Sequence, residues 1–173
     1  NNTVTTEGGA FQSCGISSIV VPSSITKIAA GAFADCSNLQ SVTLPETLTG
    51  ISAASFANCV NLETLNIPAS VTDFCSGSRY GTISYTFGGC VKLKTINIPS
   101  GVTTLHSGCF NGAGIEEITI PGTITNLEED CLACSTLRMV KMGIADLSKL
   151  SYSQTAFGTG NVEKADLYVP KGS

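Results

Sequence analysis

The sequence predicts a solenoid of short parallel β-strands, mainly β with little helix. Two observations carry this. All six prolines fall at one position of a repeating unit, and apolar residues recur at fixed offsets on both sides of that position. Pro22, Pro45, Pro68, Pro99, Pro121 and Pro170 are separated by 23, 23, 31, 22 and 49 residues, and the last step holds a further unit with Gly143 in place of proline. A shared period of this size marks stacked supersecondary units.

Each unit begins with a strand. Leu39, Val42 and Leu44 precede Pro45; Leu62, Leu65 and Ile67 precede Pro68; Leu93, Ile96 and Ile98 precede Pro99; Ile115, Ile118 and Ile120 precede Pro121. The last two of each trio alternate with polar residues, as in a strand with one buried face. Proline ends the strand because it has no N–H for the ladder, and it holds its predecessor extended.

The return half is as regular. Ile25, Leu48, Val71, Val102 and Ile124 lie three residues past proline, and Ile28, Ile51, Phe74, Leu105 and Leu127 lie six past. An aromatic column follows in Phe33, Phe56 and Phe110, with Leu132 once in its place and Phe11, Phe87 and Phe157 at altered spacing. A unit this small cannot bury its own apolar face, so neighbours stack about 4.8 Å apart around one core. The aromatic column should form a buried ladder.

Two steps break the period. About eight extra residues, 75–82, lie after Phe74 and read as an insertion loop carrying Arg79 and Tyr80, with Tyr85 just beyond. Insertions in solenoids map to loops on one face. Between Gly143 and Phe157 the chain holds three extra residues and Tyr152, a degenerate unit. Residues 4–11 read as a return half without its strand, and the chain stops just after a strand at Val169-Pro170. The expectation is one domain over 1–173, about six to seven units, cut from a longer protein.

Composition narrows the function classes. Apolar residues make up 42% and charged residues 13% of 173 residues, with a net charge of −4 and no basic run, so nucleic acid is not an expected partner. No apolar stretch approaches the roughly 20 residues that span a bilayer, so no membrane insertion is expected in this segment.

The eight cysteines follow the register. Cys14, Cys36, Cys59 and Cys90 lie three residues after the aromatic column, and Cys109 and Cys131 occupy the position before it, shared with Ala32, Ser55 and Thr86. A ladder of buried free thiols is the favoured reading. One disulfide, such as Cys109–Cys131, and a metal half-motif at Cys131-x-x-Cys134 stay open as alternatives.

Candidate binding residues come from the polar strand positions. One column runs Ser17, Gln40, Glu63, Lys94, Glu116 and Arg138; a second runs Val20, Thr43, Asn66, Asn97, Thr119 and Lys141. Signs alternate from Glu63 to Arg138, which favours cross-strand ion pairs worth under about 1 kcal/mol each. The candidates are therefore Glu63, Lys94, Glu116, Glu117, Arg138 and Lys141 on the strand face, and Arg79, Tyr80 and Tyr85 at the insertion. No catalytic set assembles. His106, the single histidine, has no serine or cysteine placed as its partner by the register, and Glu128, Glu129 and Asp130 lack calcium-loop spacing.

The unit L-x-x-I-x-I-P-x-x-V-x-x-I-x-x-x-A-F-x-x-C resembles the BspA-like class of leucine-rich repeat. The match is close over residues 39–59, 62–68 and 93–110 and weaker after Leu137, and Leu167 to Pro170 (LYVP) also fits. The resemblance implies a leucine-rich-repeat solenoid, a right-handed superhelix or horseshoe, on surface or secreted proteins of bacteria and some protozoa. It implies an extracellular or cell-surface location, no catalytic residues and no cofactor. The function expected is a non-catalytic protein-binding module that adheres to host matrix or cell-surface proteins. The alternative is a structural spacer with no ligand of its own.

Overall fold

The computed structural model describes residues 9–77, 85–144, 146–159 and 166–169. The chain winds as a parallel β-solenoid of about six turns, with essentially no helix among the described residues. The strands ahead of the prolines are β1 (Ser18–Val20), β3 (Ser41–Thr43), β5 (Thr64–Leu65), β8 (Glu117–Ile120), β10 (Met139–Met142) and β12 (Asp166–Tyr168). They pair in parallel, Val42 opposite Ile19 and Leu65, and Val140 opposite Ile118 and Leu167.

The described prolines turn the chain as expected. Each proline carbonyl accepts the N–H three residues on, from Ile25 to Pro22 at 3.0 Å through to Ile124 to Pro121 at 3.1 Å. The turn swings the following apolar residue inward, and Leu48, Val71, Val102 and Ile124 are all buried.

The return half carries a ladder of its own. It contains β2 (Lys27–Ile28), β4 (Gly50–Ser52), β6 (Asp73–Ser76), β7 (Thr104–Leu105), β9 (Asn126–Leu127) and β11 (Ser151–Tyr152), again parallel. The three extra residues of the degenerate unit are absorbed by a 3-10 turn, Leu147–Lys149, just before β11.

A third side bears the aromatic column. Two left-handed positions bracket the aromatic: Gly31, Ala54, Tyr85, Gly108 and Asp130 two residues before it or its Leu132 stand-in, and Asp35, Asn58, Gly89 and Gly112 two after, with φ between 35° and 72°. This kink lets Phe33 N–H bond Ser55 O at 2.8 Å while the ring points inward. Rings Phe11, Phe33, Phe56, Phe87 and Phe110 stack with centroids 5.4–5.6 Å apart, and Phe74 packs tilted on the last two. The ladder is buried except at its end, where Phe11 is 39% exposed because no ring covers its outer side.

The reading of buried free thiols holds for Cys36, Cys59, Cys90, Cys131 and Cys134; Cys14 is free but half-buried, and for Cys75 and Cys109 the reading fails. Cys36, Cys59 and Cys90 donate from Sγ to the carbonyls of Phe11, Phe33 and Phe56, each one turn back, and Cys134 does so to Phe110. Those carbonyls already accept an N–H within their own turn, so the thiol adds a weak bond between turns. Burial pushes the Cys59, Cys131 and Cys134 thiols up to about 12 and Cys90 higher still. Cys75 and Cys109, however, form a disulfide with Cα atoms 6.0 Å apart. The candidate Cys109–Cys131 pairing is thus replaced: Cys131 stays free, and Cys75 reaches Cys109 because a bulge in β6 inserts it between the partners of Ile51 and Ser52.

Both ladders break in the same place. The segment before Pro99, expected as a strand, forms none, so the strand face divides into β1-β3-β5 and β8-β10-β12. The return face divides between β6 and β7. This is the 31-residue step. Register is first lost at Cys75, the bulged residue of β6, and Ser76 pairs again with Ser52. Across the break the turns are joined by the disulfide, by Phe56 on Phe87, and by Asn97. The Asn97 amide donates to Ile67 O at 2.7 Å and accepts from Ile67 N at 2.9 Å.

Candidate functional site

The alternation of each strand decides which side chains face out. In β8, Glu117 and Thr119 are exposed while Ile118 and Ile120 are buried. The outward columns are therefore those four and two residues before proline. Together they line a groove of about 830 Å³ that crosses the break, from Ser41 and Thr43 through Asn66 and Asn97 to Thr119 and Lys141.

The charged candidates flank this groove. Glu63, Lys94, Glu116 and Arg138 lie five before the proline position, where the chain enters each strand, and do not line the groove. They form a charged column along its edge. Of the proposed face residues only Glu117 and Lys141 line the groove itself.

The charges pair, though not all as the alternation implied. Lys94 Nζ lies 3.1 Å from Glu116 Oε1, as expected, and Lys141 Nζ lies 3.1 Å from Glu117 Oε2. Glu63 is approached instead by Lys92 at 4.0 Å. Arg138 has no ion-pair partner among the described residues. These pairs are a third to a half exposed or more, so each stabilises by under about 1 kcal/mol.

Tyr85 is 38% exposed, held at φ 35° with its Cβ side over Gly88. Arg79 and Tyr80 lie outside the described residues.

On the return face, Lys27 Nζ reaches Asp73 Oδ2 at 3.1 Å across two turns. Gly50, paired between them, makes the room: a Cβ there would lie 3.3 Å from Lys27 Cγ and 3.4 Å from Asp73 Cβ. Burial alone would raise the Asp73 carboxyl, but hydrogen bonds from Ser76 and Lys27, with the lysine's charge, bring it below the ordinary carboxylate value.

His106 and Glu128 sit side by side on adjacent turns, Nδ1 3.3 Å from Oε1. The Ser107 N–H and hydroxyl both donate to the other Glu128 oxygen, at 2.9 and 3.1 Å. The serine proton is directed at a carboxylate and not at the imidazole, so no nucleophile–base relay forms here. Cys131 and Cys134 do not converge either, one directed at Ala156 O and the other at Phe110 O. Among the described residues no group of three or more His, Cys, Asp or Glu is placed to hold a metal ion, and no helix is long and apolar enough to cross a membrane.

One feature escaped the sequence reading. Hydroxyls recur on both faces, but their use differs. On the return side Thr47, Thr49, Ser70, Thr123 and Thr125 each donate to a carbonyl of the preceding turn. In the groove, Ser41, Thr43, Thr64, Asn66, Thr95 and Thr119 are exposed and have no side-chain partner among the described residues.

An aromatic spine, proline-turned parallel strands and an outward polar face define a leucine-rich-repeat solenoid. The chain belongs to the BspA-type leucine-rich repeat family, whose sequence model matches residues 1–84 and 78–167 in six copies. Repeats of this kind form protein-interaction scaffolds and are in general non-catalytic. No curated protein matches the chain. Among solved structures it is similar to the T. pallidum leucine-rich repeat protein TpLRR, at 27% identity and TM-score 0.70 over 80% of this chain. A leucine-rich repeat protein from Eubacterium ventriosum (20% identity, TM-score 0.62, 84% of this chain) and the pneumococcal vaccine antigen PcpA (20%, 0.61, 91%) share the fold. The chain spans 62%, 43% and 42% of those three chains.

Proposed function

We propose that this chain is a non-catalytic binding module of a cell-surface or secreted protein that adheres to host or other cell-surface proteins. The observation that carries the reading is the outward strand face: a groove of about 830 Å³ running across successive turns, edged by the charged column from Glu63 to Arg138. A self-contained solenoid does not need an open groove for its stability. The Cys75–Cys109 disulfide supports an exported location, since such bonds persist in oxidising compartments. The insertion with Arg79 and Tyr80, next to Tyr85, is a second candidate contact, because arginine and tyrosine are enriched in interface hot spots.

The spacer reading is favoured by one observation, that Lys94 with Glu116 and Lys141 with Glu117 already neutralise each other. Surface-immobilised protein, wild type against Lys94→Glu with Arg138→Glu and against deletion of residues 77–82, separates the two. Loss of binding to cells or matrix proteins in either variant supports the binding module. Absence of binding by the wild type, or binding unchanged in both variants, favours the spacer.

A further inference from the structure

We propose that the groove takes a neutral oligosaccharide, of the kind carried by cell-surface glycoproteins; this rests on the reading of the strand face as a binding face. The chemistry of the groove narrows the occupant. Its aliphatic liners Val42, Leu65, Ile96, Ile98 and Ile118 are buried and only Pro121 is half-buried, so the groove offers a partner's apolar side chain little to anchor on. Its two charged liners, Glu117 and Lys141, are paired with each other. The two sheets end inside the groove at β5 and β8, and there the Asn97 amide already occupies both main-chain groups of Ile67, so an added peptide strand meets a capped position beside β5. What remains is hydroxyls and one amide, each able to donate and accept, and none occupied by the protein.

The spacing suits a chain of sugars. Strands advance about 4.8 Å per turn, close to the advance of one extended pyranose residue, so successive sugars meet an equivalent side chain on each turn. Thr43, Asn66 and Thr119 belong to one such column, and its continuation beyond Lys141 is Tyr168, in register with it and 63% exposed. An exposed phenol at the end of a hydroxyl row presents a flat face on which a sugar ring can stack. At the break, Asn97 is locked by its two bonds to Ile67, which leaves the neighbouring Asn66 amide as the free hydrogen-bonding group.

Saturation-transfer NMR and calorimetric titration of the whole chain test this with maltohexaose, cellohexaose, chitohexaose and a lacto-N-neohexaose as probes. Thr43→Val with Thr119→Val removes two hydroxyls while keeping shape and strand propensity; Thr49→Val removes an engaged hydroxyl on the return face as the control. At least one probe is expected to bind, with affinity falling about tenfold in the double variant and by a similar factor in Tyr168→Ala, and unchanged in Thr49→Val. No transfer to any probe overturns the inference, as does binding indifferent to the groove variants. Binding of a serine- and threonine-rich peptide of matching length, with none of any sugar, assigns the groove to polypeptide and also overturns it. The adhesion assay is independent: adhesion lost on charge reversal but no sugar bound leaves the binding module standing and removes only the glycan.

Discussion

Asn97 occupies both main-chain hydrogen-bonding groups of Ile67, donating to its oxygen at 2.7 Å and accepting from its nitrogen at 2.9 Å. One side chain thus does at the break what a neighbouring strand does elsewhere. Ile67 is buried, so removing the amide leaves a donor and an acceptor without partners. Each such group costs about 1–3 kcal/mol. Asn97→Ala is expected to lower stability by about 2–4 kcal/mol in urea unfolding. A midpoint equal to wild type would show that Ile67 finds other partners.

The aromatic spine crosses the same break through Phe56 and Phe87, whose centroids lie 5.6 Å apart. Phe56 is fully buried between two rings. Phe56→Ala is expected to cost about 3–5 kcal/mol, as large core truncations do. Calorimetry reads this as a lower melting temperature, and an unchanged one would refute the stacking register.

The disulfide links residues 34 apart in sequence. Closing a loop of that size in the unfolded chain stabilises by about 3–4 kcal/mol. Cys75→Ser with Cys109→Ser is expected to lose that amount, and wild-type protein denatured without reductant should titrate six thiols. A titration of eight thiols would contradict the bond.

Alkaline pH tests the buried thiols. Their folded pKa values, raised by burial from the ordinary 9.0 to about 12 for Cys59, Cys131 and Cys134, mean that the folded state holds its thiol protons more tightly than the unfolded chain. The stability this contributes is complete below pH 9 and is lost as pH rises toward 12. Chemical unfolding followed from pH 8 to 11 should show stability falling above pH 9, more steeply in wild type than in Cys59→Ala. Equal slopes would mean that the Cys59 thiol titrates normally.

Acid tests the Lys27–Asp73 pair in the opposite sense. The Asp73 carboxyl is held below its ordinary value of 3.8, so its contribution is present above that pH and lost as pH falls through the lower folded value. Asp73→Asn should flatten the acid limb of the stability profile. An identical acid limb in the variant would remove the pair from the account.

Much of this was legible in the chain. The proline spacing located the strands, the inward residues and the aromatic column, since each depends on local pattern repeated turn after turn. The position of the interruption was legible too, in the 31-residue step. Its consequences were not. That Thr95–Ile98 would not pair, that Asn97 would stand in for it, and that Cys75 would turn toward Cys109 all depend on how two turns meet across an added segment. That the column from Glu63 to Arg138 edges the groove while its neighbours line it was not legible either, because polar residues at a strand's entry look, in sequence, like those on its face.

The sequence by itself determined the solenoid, its core and its family, because burying a repeated apolar pattern has one economical solution, stacking. Only the tertiary structure decided which polar groups are free. Thr49 and Thr43 are the same residue in the same unit, yet one hydroxyl is engaged by Thr26 O and the other lies open in the groove. The difference is whether a carbonyl of the preceding turn falls within hydrogen-bonding reach, a matter of distance between turns that residue type does not encode.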